Sequence, residues 1–150
     1  MKISSNGIDF IKQREGIRLD AYKCTAGVWT IGYGHTKGVK RGDKITEKQA
    51  EEFLKSDLLA ICEKPLSSFL EKNRIELNQN QYDAICSFIF NVGFNNFLSS
   101  SIARGLINRE QKQSIANYFS KWVKVKKCGI YVIDKGLQNR RKLEIELFMK

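Results

Sequence analysis

At 150 residues, with 42% hydrophobic side chains and a single proline, the chain can bury one real core and is too apolar to remain disordered. Its 26 Lys and Arg against 16 Asp and Glu give a formal net charge of +10. That balance favours polyanions (nucleic acid, anionic lipid surfaces, an acidic wall polymer) without choosing among them.

The N-terminal stretch MKISSNGIDFIKQREG has no uninterrupted apolar run, and its hydrophobic residues are spaced as on a helix. Neither a cleaved signal peptide nor a membrane anchor is therefore expected. No later run approaches the roughly 20 apolar residues of a membrane-spanning helix, so a protein made and held in the cytosol is the expectation. Cys24, Cys62, Cys86 and Cys128 include no CxxC pair, and the one histidine leaves no zinc spacing. Free thiols and no metal or cofactor are expected.

Ile3, Ile8, Phe10 and Ile11 fit a short amphipathic helix from Ile3 to Arg14, stopped at Glu15-Gly16 because glycine commonly follows a helix end. Residues 17–24 alternate in character, and 28–33 (VWTIGY) are rich in β-branched and aromatic types. Together they predict a β-hairpin turned by Thr25-Ala26-Gly27. A polar, Gly-punctuated segment follows from Gly34 to Gly42.

Thr46 and Gln49 form a capping box opening a helix with the stripe Ala50, Phe53, Leu54, Leu58 and Ile61, which Pro65 is expected to interrupt. After a polar stretch at 71–80, Asn78 and Gln81 offer a second cap pair. The segment YDAICSFIFNVG that follows is apolar nearly all round and predicts a buried central helix ending at Gly93. Residues 99–108 and 110–123 read as two more helices. A loop holding Gly129 and Gly136 leads into a last amphipathic helix, 137–149, with Leu137, Leu143, Leu147 and Phe148 on its apolar side. With no internal repeat or low-complexity tract, the layout is α+β: helical, with one small sheet near the front.

The stretch from Glu15 to Thr36, EGIRLDAYKCTAGVWTIGYGHT, carries most of the chemistry. Glu15 stands at a helix-to-strand junction beside a Gly-rich hairpin. A carboxyl held against an apolar wall keeps its proton near neutrality, as the acid in glycosidic cleavage must; on spacing alone, a solvated helix-end glutamate is the stronger reading. Of Trp29, Tyr33, Phe94, Phe97 and Trp122, some are expected to stack on sugar and at least half to lie in the core. Cys62 and Cys86 fall on apolar helix faces and read as small core hydrophobes. The basic run KWVKVKK (121–127) lacks a helix-turn-helix context or a base-stacking motif, so a solvated cationic face is expected rather than a nucleic-acid site.

Three blocks resemble the phage-type lysozymes, the endolysins of glycoside hydrolase family 24. EGIRLDAYKCTAGVWTIGYGHT is similar to their active-site pattern E-G-x-R-L-x-x-Y-x-D-x-x-G-x-x-T-I-G-x-G-H-T. NQYDAICSFIFNVG (80–93) resembles N-Q-x-D-A-L-x-S-F-x-F-N-x-G, and GLQNRRKLEIELF (136–148) resembles G-L-x-N-R-R-x-x-E-x-x-L-F. The resemblance implies a lysozyme-like fold over 1–150, with a small N-terminal lobe (about 1–64) carrying the hairpin and a helical C-terminal lobe (about 65–150). It implies hydrolysis of the β-1,4 bond between N-acetylmuramic acid and N-acetylglucosamine in peptidoglycan. It further implies a monomer that waits in the host cytoplasm until a holin opens the inner membrane, with no stable membrane insertion.

Carried over by residue, the resemblance makes Glu15 the general acid and Thr30 the residue that positions the attacking water. It places His35, with Tyr33 and Gly34 of the same GYGHT segment, beside the cleft as substrate-binding or supporting residues. Arg140 matches the arginine that pairs with the acid. For His35 a structural role is the stronger reading, since a proton switch needs a partner the sequence does not reveal. Arg140 read alone is a solvated helix charge.

The departure is Cys24, standing where the family pattern has its catalytic aspartate. Inverting glycosidases need a second carboxylate to activate water. Three readings stay open: Cys24 works as a thiolate base or nucleophile, with Lys23 and Arg18 as local cations to favour that form; Asp20 supplies the carboxylate; or the chain is a weakened or dead homologue that still binds glycan.

Overall fold

Helix α4 (Gln79–Val92) is buried at every position from Tyr82 to Ile89, as its all-round apolar sequence predicts, and the rest of the chain is laid around it. The computed structural model describes residues 1–150. Before α4 come α1 (Ser5–Glu15), β1 (Arg18–Lys23), β2 (Trp29–Gly32), α2 (Glu47–Asp57), a π-helical segment (Leu58–Glu63) and α3 (Lys64–Asn73). After it come α5 (Phe94–Ser99), α6 (Ser101–Ile107), α7 (Lys112–Phe119), β3 (Lys124–Lys127), β4 (Ile130–Ile133) and α8 (Lys135–Met149). Helices α1 and α8 and the π segment pack against α4. One continuous core runs from Ile11, Tyr33 and Leu54 through Ile85 and Phe88 to Phe119 and Phe148.

The helix boundaries follow local chemistry. Ser4 caps α1 through its hydroxyl, and Gly16 ends the helix at φ 68°, a conformation glycine adopts at no steric cost. Both capping boxes form, Thr46 with Gln49 and Asn78 with Gln81. The buried Asp83 on α4 anchors the start of α1, accepting from the Ser4 hydroxyl, the Ser4 N–H (3.0 Å) and the Gln79 amide (2.8 Å). Gly7 permits this approach: a Cβ there would lie 2.6 Å from Asp83 Cγ.

Four expectations are corrected. Pro65 does not break the chain out of helix. The preceding turn widens to π geometry, in which the N–H of Lys64 reaches back to the carbonyl of Leu59, and Pro65 sits in the first turn of α3, where its missing N–H costs little. Residues 94–99 form an additional short helix, α5, and the helices at 99–108 and 110–123 contract to α6 and α7. The expected loop around Gly129 is a second antiparallel hairpin, β3–β4. The final helix begins earlier, at Lys135, because the Asp134 carboxylate caps it through the Leu137 N–H (2.9 Å). Its buried face holds Arg140, Arg141 and Glu144 with Phe148, and Leu137, Leu143 and Leu147 are only partly covered.

Candidate active site

Glu15 is the last residue of α1, and Arg140 from the middle of α8 donates to it, Nη1 to Oε1 at 2.6 Å. The guanidinium is buried and fully engaged. Nε donates to Glu144 at 3.1 Å, and Nη2 to the Ser87 carbonyl (3.1 Å) and hydroxyl (3.4 Å) on α4. The solvated-charge reading of Arg140 is thus overturned, and Glu15 faces a cation rather than an apolar wall.

Behind this pair lies a second tier. Glu144 is completely buried and accepts from the Ser87 hydroxyl at 2.7 Å. Arg141, also buried, places Nε 2.9 Å from Glu144 Oε2, donates Nη2 to Asn91 at 2.8 Å, and lies 5.0 Å above the Phe88 ring. Burial pushes the Glu144 carboxyl up from its ordinary value, opposed by Arg141 and Arg140, and lowers Arg141 to about 10. Glu15, Glu144, Arg140 and Arg141 together form a quartet in which each guanidinium faces a carboxyl group, the condition under which burying ionisable groups is tolerated.

The β1–β2 hairpin follows Glu15 directly in the chain and carries the other candidate residues. Tyr22 pairs with Thr30 and Lys23 with Trp29, which puts Cys24, just past β1, on the same face as Thr30. Thr30 is buried, and its hydroxyl donates to the Val28 carbonyl at 3.0 Å. The half-buried thiol is drawn below its ordinary value by hydrogen bonding to the backbone at Val28 and then Ala26. Lys23 and Arg18, the cations expected to do this, lie over the rings of Trp29 and Tyr22 at 5.5 and 4.2 Å. The backbone turn replaces them. Asp20 is exposed, paired with Lys44 at 3.1 Å and bridged to the same residue through its backbone.

His35 is tied in on both sides. Nδ1 is 2.8 Å from Asp57 Oδ2, Nε2 lies 3.0 Å from the Lys37 carbonyl, and the ring stacks on Phe53 at 4.4 Å. These contacts join the hairpin to α2, and Asp57 is the partner that the sequence did not reveal. Tyr33 belongs to the core and is covered on its outer side by Lys12, so it is not a sugar platform. Gly34 (φ 97°) has open space where a side chain would stand and makes the turn that lets Ile31 and His35 pair. Among the other aromatics, Phe97 is buried and Trp122 packs edge-on against Phe88 at 5.5 Å. Cys62 and Cys86 are core residues, their thiols pushed up by burial.

Sequence reasoning assigned no site role to Ser87, Asn91, Asp57, Arg141 or Glu144. All but Asp57 fall on fixed letters of the two later family blocks, and the Arg140/Glu144 spacing of four brings those two side chains onto one helix face. A cavity of about 540 Å³ bounded by Arg74, Arg109, Leu106 and Phe148 contains none of the predicted site residues. No three His, Cys, Asp or Glu side chains are grouped to hold a metal ion.

The phage lysozyme family model matches residues 12–144. An endolysin of Acyrthosiphon pisum secondary endosymbiont phage 1 is 42% identical over 99% of this chain and 98% of its own. An endolysin of Salmonella phage P22 is 45% identical over 99% of each. Among solved structures, the muramidase domain of SpmX from Asticaccaulis excentricus superposes with a TM-score of 0.91 at 33% identity, covering 99% of this chain and 98% of that one. A family match spanning all but the chain ends, with full-length relatives at this identity, establishes that the chain belongs to the phage lysozyme family.

Proposed function

We propose that this endolysin-type lysozyme cleaves the β-1,4 bond between N-acetylmuramic acid and N-acetylglucosamine with Glu15 as proton donor and Cys24 as the group that activates water. The observation carrying the reading is the 2.6 Å contact between Glu15 and an Arg140 that is itself immobilised by Glu144 and Ser87. As the proton passes from Glu15 to the glycosidic oxygen, negative charge develops on the carboxylate. Arg140 stabilises that charge in a site already organised before the reaction, which is where such interactions count most. The same pair fixes the orientation of the acid.

On the hairpin, the Thr30 hydroxyl directs its proton to Val28 and so turns a lone pair outward, free to accept a hydrogen bond from water. A thiolate at Cys24, favoured by the backbone at Val28 and Ala26, takes a proton from that water as it attacks the anomeric carbon. A base at this position gives inversion; a cysteine nucleophile would give retention. His35 and Gly34 shape the hairpin base and hold it to α2, with no proton-transfer role.

The single continuous core supports reading 1–150 as one domain, with lobes divided near residue 64. No helix is long and apolar enough to cross a membrane, which fits a monomeric enzyme that reaches peptidoglycan from the host cytoplasm once a holin has opened the inner membrane. The alternative, a glycan-binding relic, rests on Cys24 standing in place of a carboxylate.

Digestion of purified Gram-negative peptidoglycan, with mass spectrometry of the fragments, tests the reading. Reducing N-acetylmuramic acid ends are expected. Anhydro ends would mean a lytic transglycosylase that dispenses with Cys24, and intact wall with bound protein would mean the relic.

A further inference from the structure

We propose that the β3–β4 hairpin is a peripheral docking element for an anionic lipid bilayer surface. This strand pair takes no part in the site, and it stands off the body: Ile130, Tyr131 and Ile133 are 68, 67 and 59% exposed, and Val132 is 36% exposed. An exposed strand reading Ile-Tyr-Val-Ile, without a charge, a proline or a bulge, is what soluble proteins ordinarily avoid at a sheet edge.

The register gives the hairpin two distinct faces. Lys124 pairs with Ile133 and Lys126 with Tyr131, so these four side chains share one face. Both lysines are exposed, as are Tyr131 and Ile133. Val125 pairs with Val132 on the other face, which is the less exposed of the two at the hairpin base. The outward face thus carries a column of lysines beside a column of aliphatic and aromatic side chains. At the tip, Cys128 and Gly129 both adopt positive φ (48° and 83°), the backbone of a two-residue turn whose twist matches the strands and keeps the pair stiff.

Charge complementarity selects the occupant. From Ser120 to Ile133 the sequence has Lys121, Lys124, Lys126 and Lys127 and no acidic residue; the next carboxylate, Asp134, is spent capping α8. Lysines next to exposed aliphatic side chains suit a lipid headgroup layer, where the stems and rings bury while the ammonium groups stay with phosphate. Nucleic acid or a wall polysaccharide would use the lysines but leave Tyr131 and Ile133 in water. The outer edges of both strands keep unpaired backbone groups, which confines docking to the headgroup region and rules out insertion into hydrocarbon.

Sedimentation with sucrose-loaded vesicles, either pure phosphatidylcholine or phosphatidylcholine with phosphatidylglycerol, tests this in the full chain. The wild-type protein is expected to pellet with the anionic vesicles only, and more weakly as salt rises. Each lysine near such a surface contributes on the order of five-fold in affinity, so the double variant Lys124→Glu/Lys126→Glu should lose roughly 25-fold or more. Ile133→Asp should lose binding with the lysines intact, and Tyr131→Trp should show a blue-shifted emission on adding anionic vesicles. The circular dichroism spectrum and the urea unfolding midpoint verify that each variant is folded.

The proposal is overturned if the wild type ignores anionic vesicles or binds neutral ones equally. It is overturned too if the charge variants keep full affinity, or if they lose duplex-DNA or sacculus binding while vesicle binding is unchanged. Concentration-dependent dimerisation abolished by Ile133→Asp, without vesicle binding, would assign the strand edge to a second copy instead. None of these outcomes depends on which residue activates water.

Discussion

Arg140 and Glu15 lie 125 positions apart in the chain and meet at 2.6 Å, so the acid at the end of the first helix is completed only when the last helix docks. Helix α8 is therefore a structural element and part of the site at once. Arg140→Lys keeps the charge but loses the planar fork that reaches Glu15, Glu144 and Ser87 together. Activity on peptidoglycan should fall roughly 100-fold, mostly in kcat, with the circular dichroism spectrum retained. A KM effect with unchanged kcat would place Arg140 in substrate binding instead.

Glu144 is the counter-ion that lets two arginines share the interior. Glu144→Ala leaves Arg140 and Arg141 buried without their carboxylate, which should cost about 3–5 kcal/mol, read as the loss in urea unfolding free energy. A loss below 1 kcal/mol would mean that water or Asn91 compensates and that the quartet does not hold the helix.

Cys24 makes a claim about pH. Its thiol is drawn below the ordinary value by hydrogen bonding at Val28 and Ala26, and the active form is the thiolate. Activity therefore falls as pH drops through the thiol's titration and the group becomes protonated. Aspartate ionises near 4, below a thiol. In Cys24→Asp the acidic limb of kcat/KM should move down in pH, with the gain over the wild type growing as pH falls. A large gain at every pH would indicate that the thiol does nothing and that the chain is a relic.

His35 is engaged by Asp57, Lys37 and Phe53. His35→Ala should destabilise the fold by about 1.5–3 kcal/mol, the range for a hydrogen bond to a charged partner. The pH–rate profile of the remaining folded enzyme should keep its shape. A lost limb in that profile would give His35 a proton-transfer role.

What could be read in advance was local. The glycine stops at Gly16 and Gly93, the caps at Thr46 and Asn78, and the uniformly apolar α4 all depend on residues within a few positions of one another, and all appear in the structure. What escaped notice depends on distant packing or on a weak signal. Glu144 reads as one more helix-surface charge until α8 is set against α4. The β3–β4 hairpin was hidden because lysines fill one strand and Cys-Gly stands where Asn-Gly would announce the turn. Tyr33 was one of five aromatics whose place, core or sugar platform, stayed open because nothing in GYGHT reveals that Lys12 of α1 lies over its ring. Pro65 was expected to end a helix, yet a π turn just before it keeps the axis running.

Replacing Glu15 with Gln tests the account most directly, since it removes the transferable proton and keeps size and hydrogen-bonding capacity. Release of reducing N-acetylmuramic acid ends from purified peptidoglycan by Glu15→Gln is expected to fall at least about 100-fold, with thermal stability and wall binding close to wild type. Turnover near the wild-type rate would show that another group protonates the glycosidic oxygen, and the pairing with Arg140 would then be structural alone.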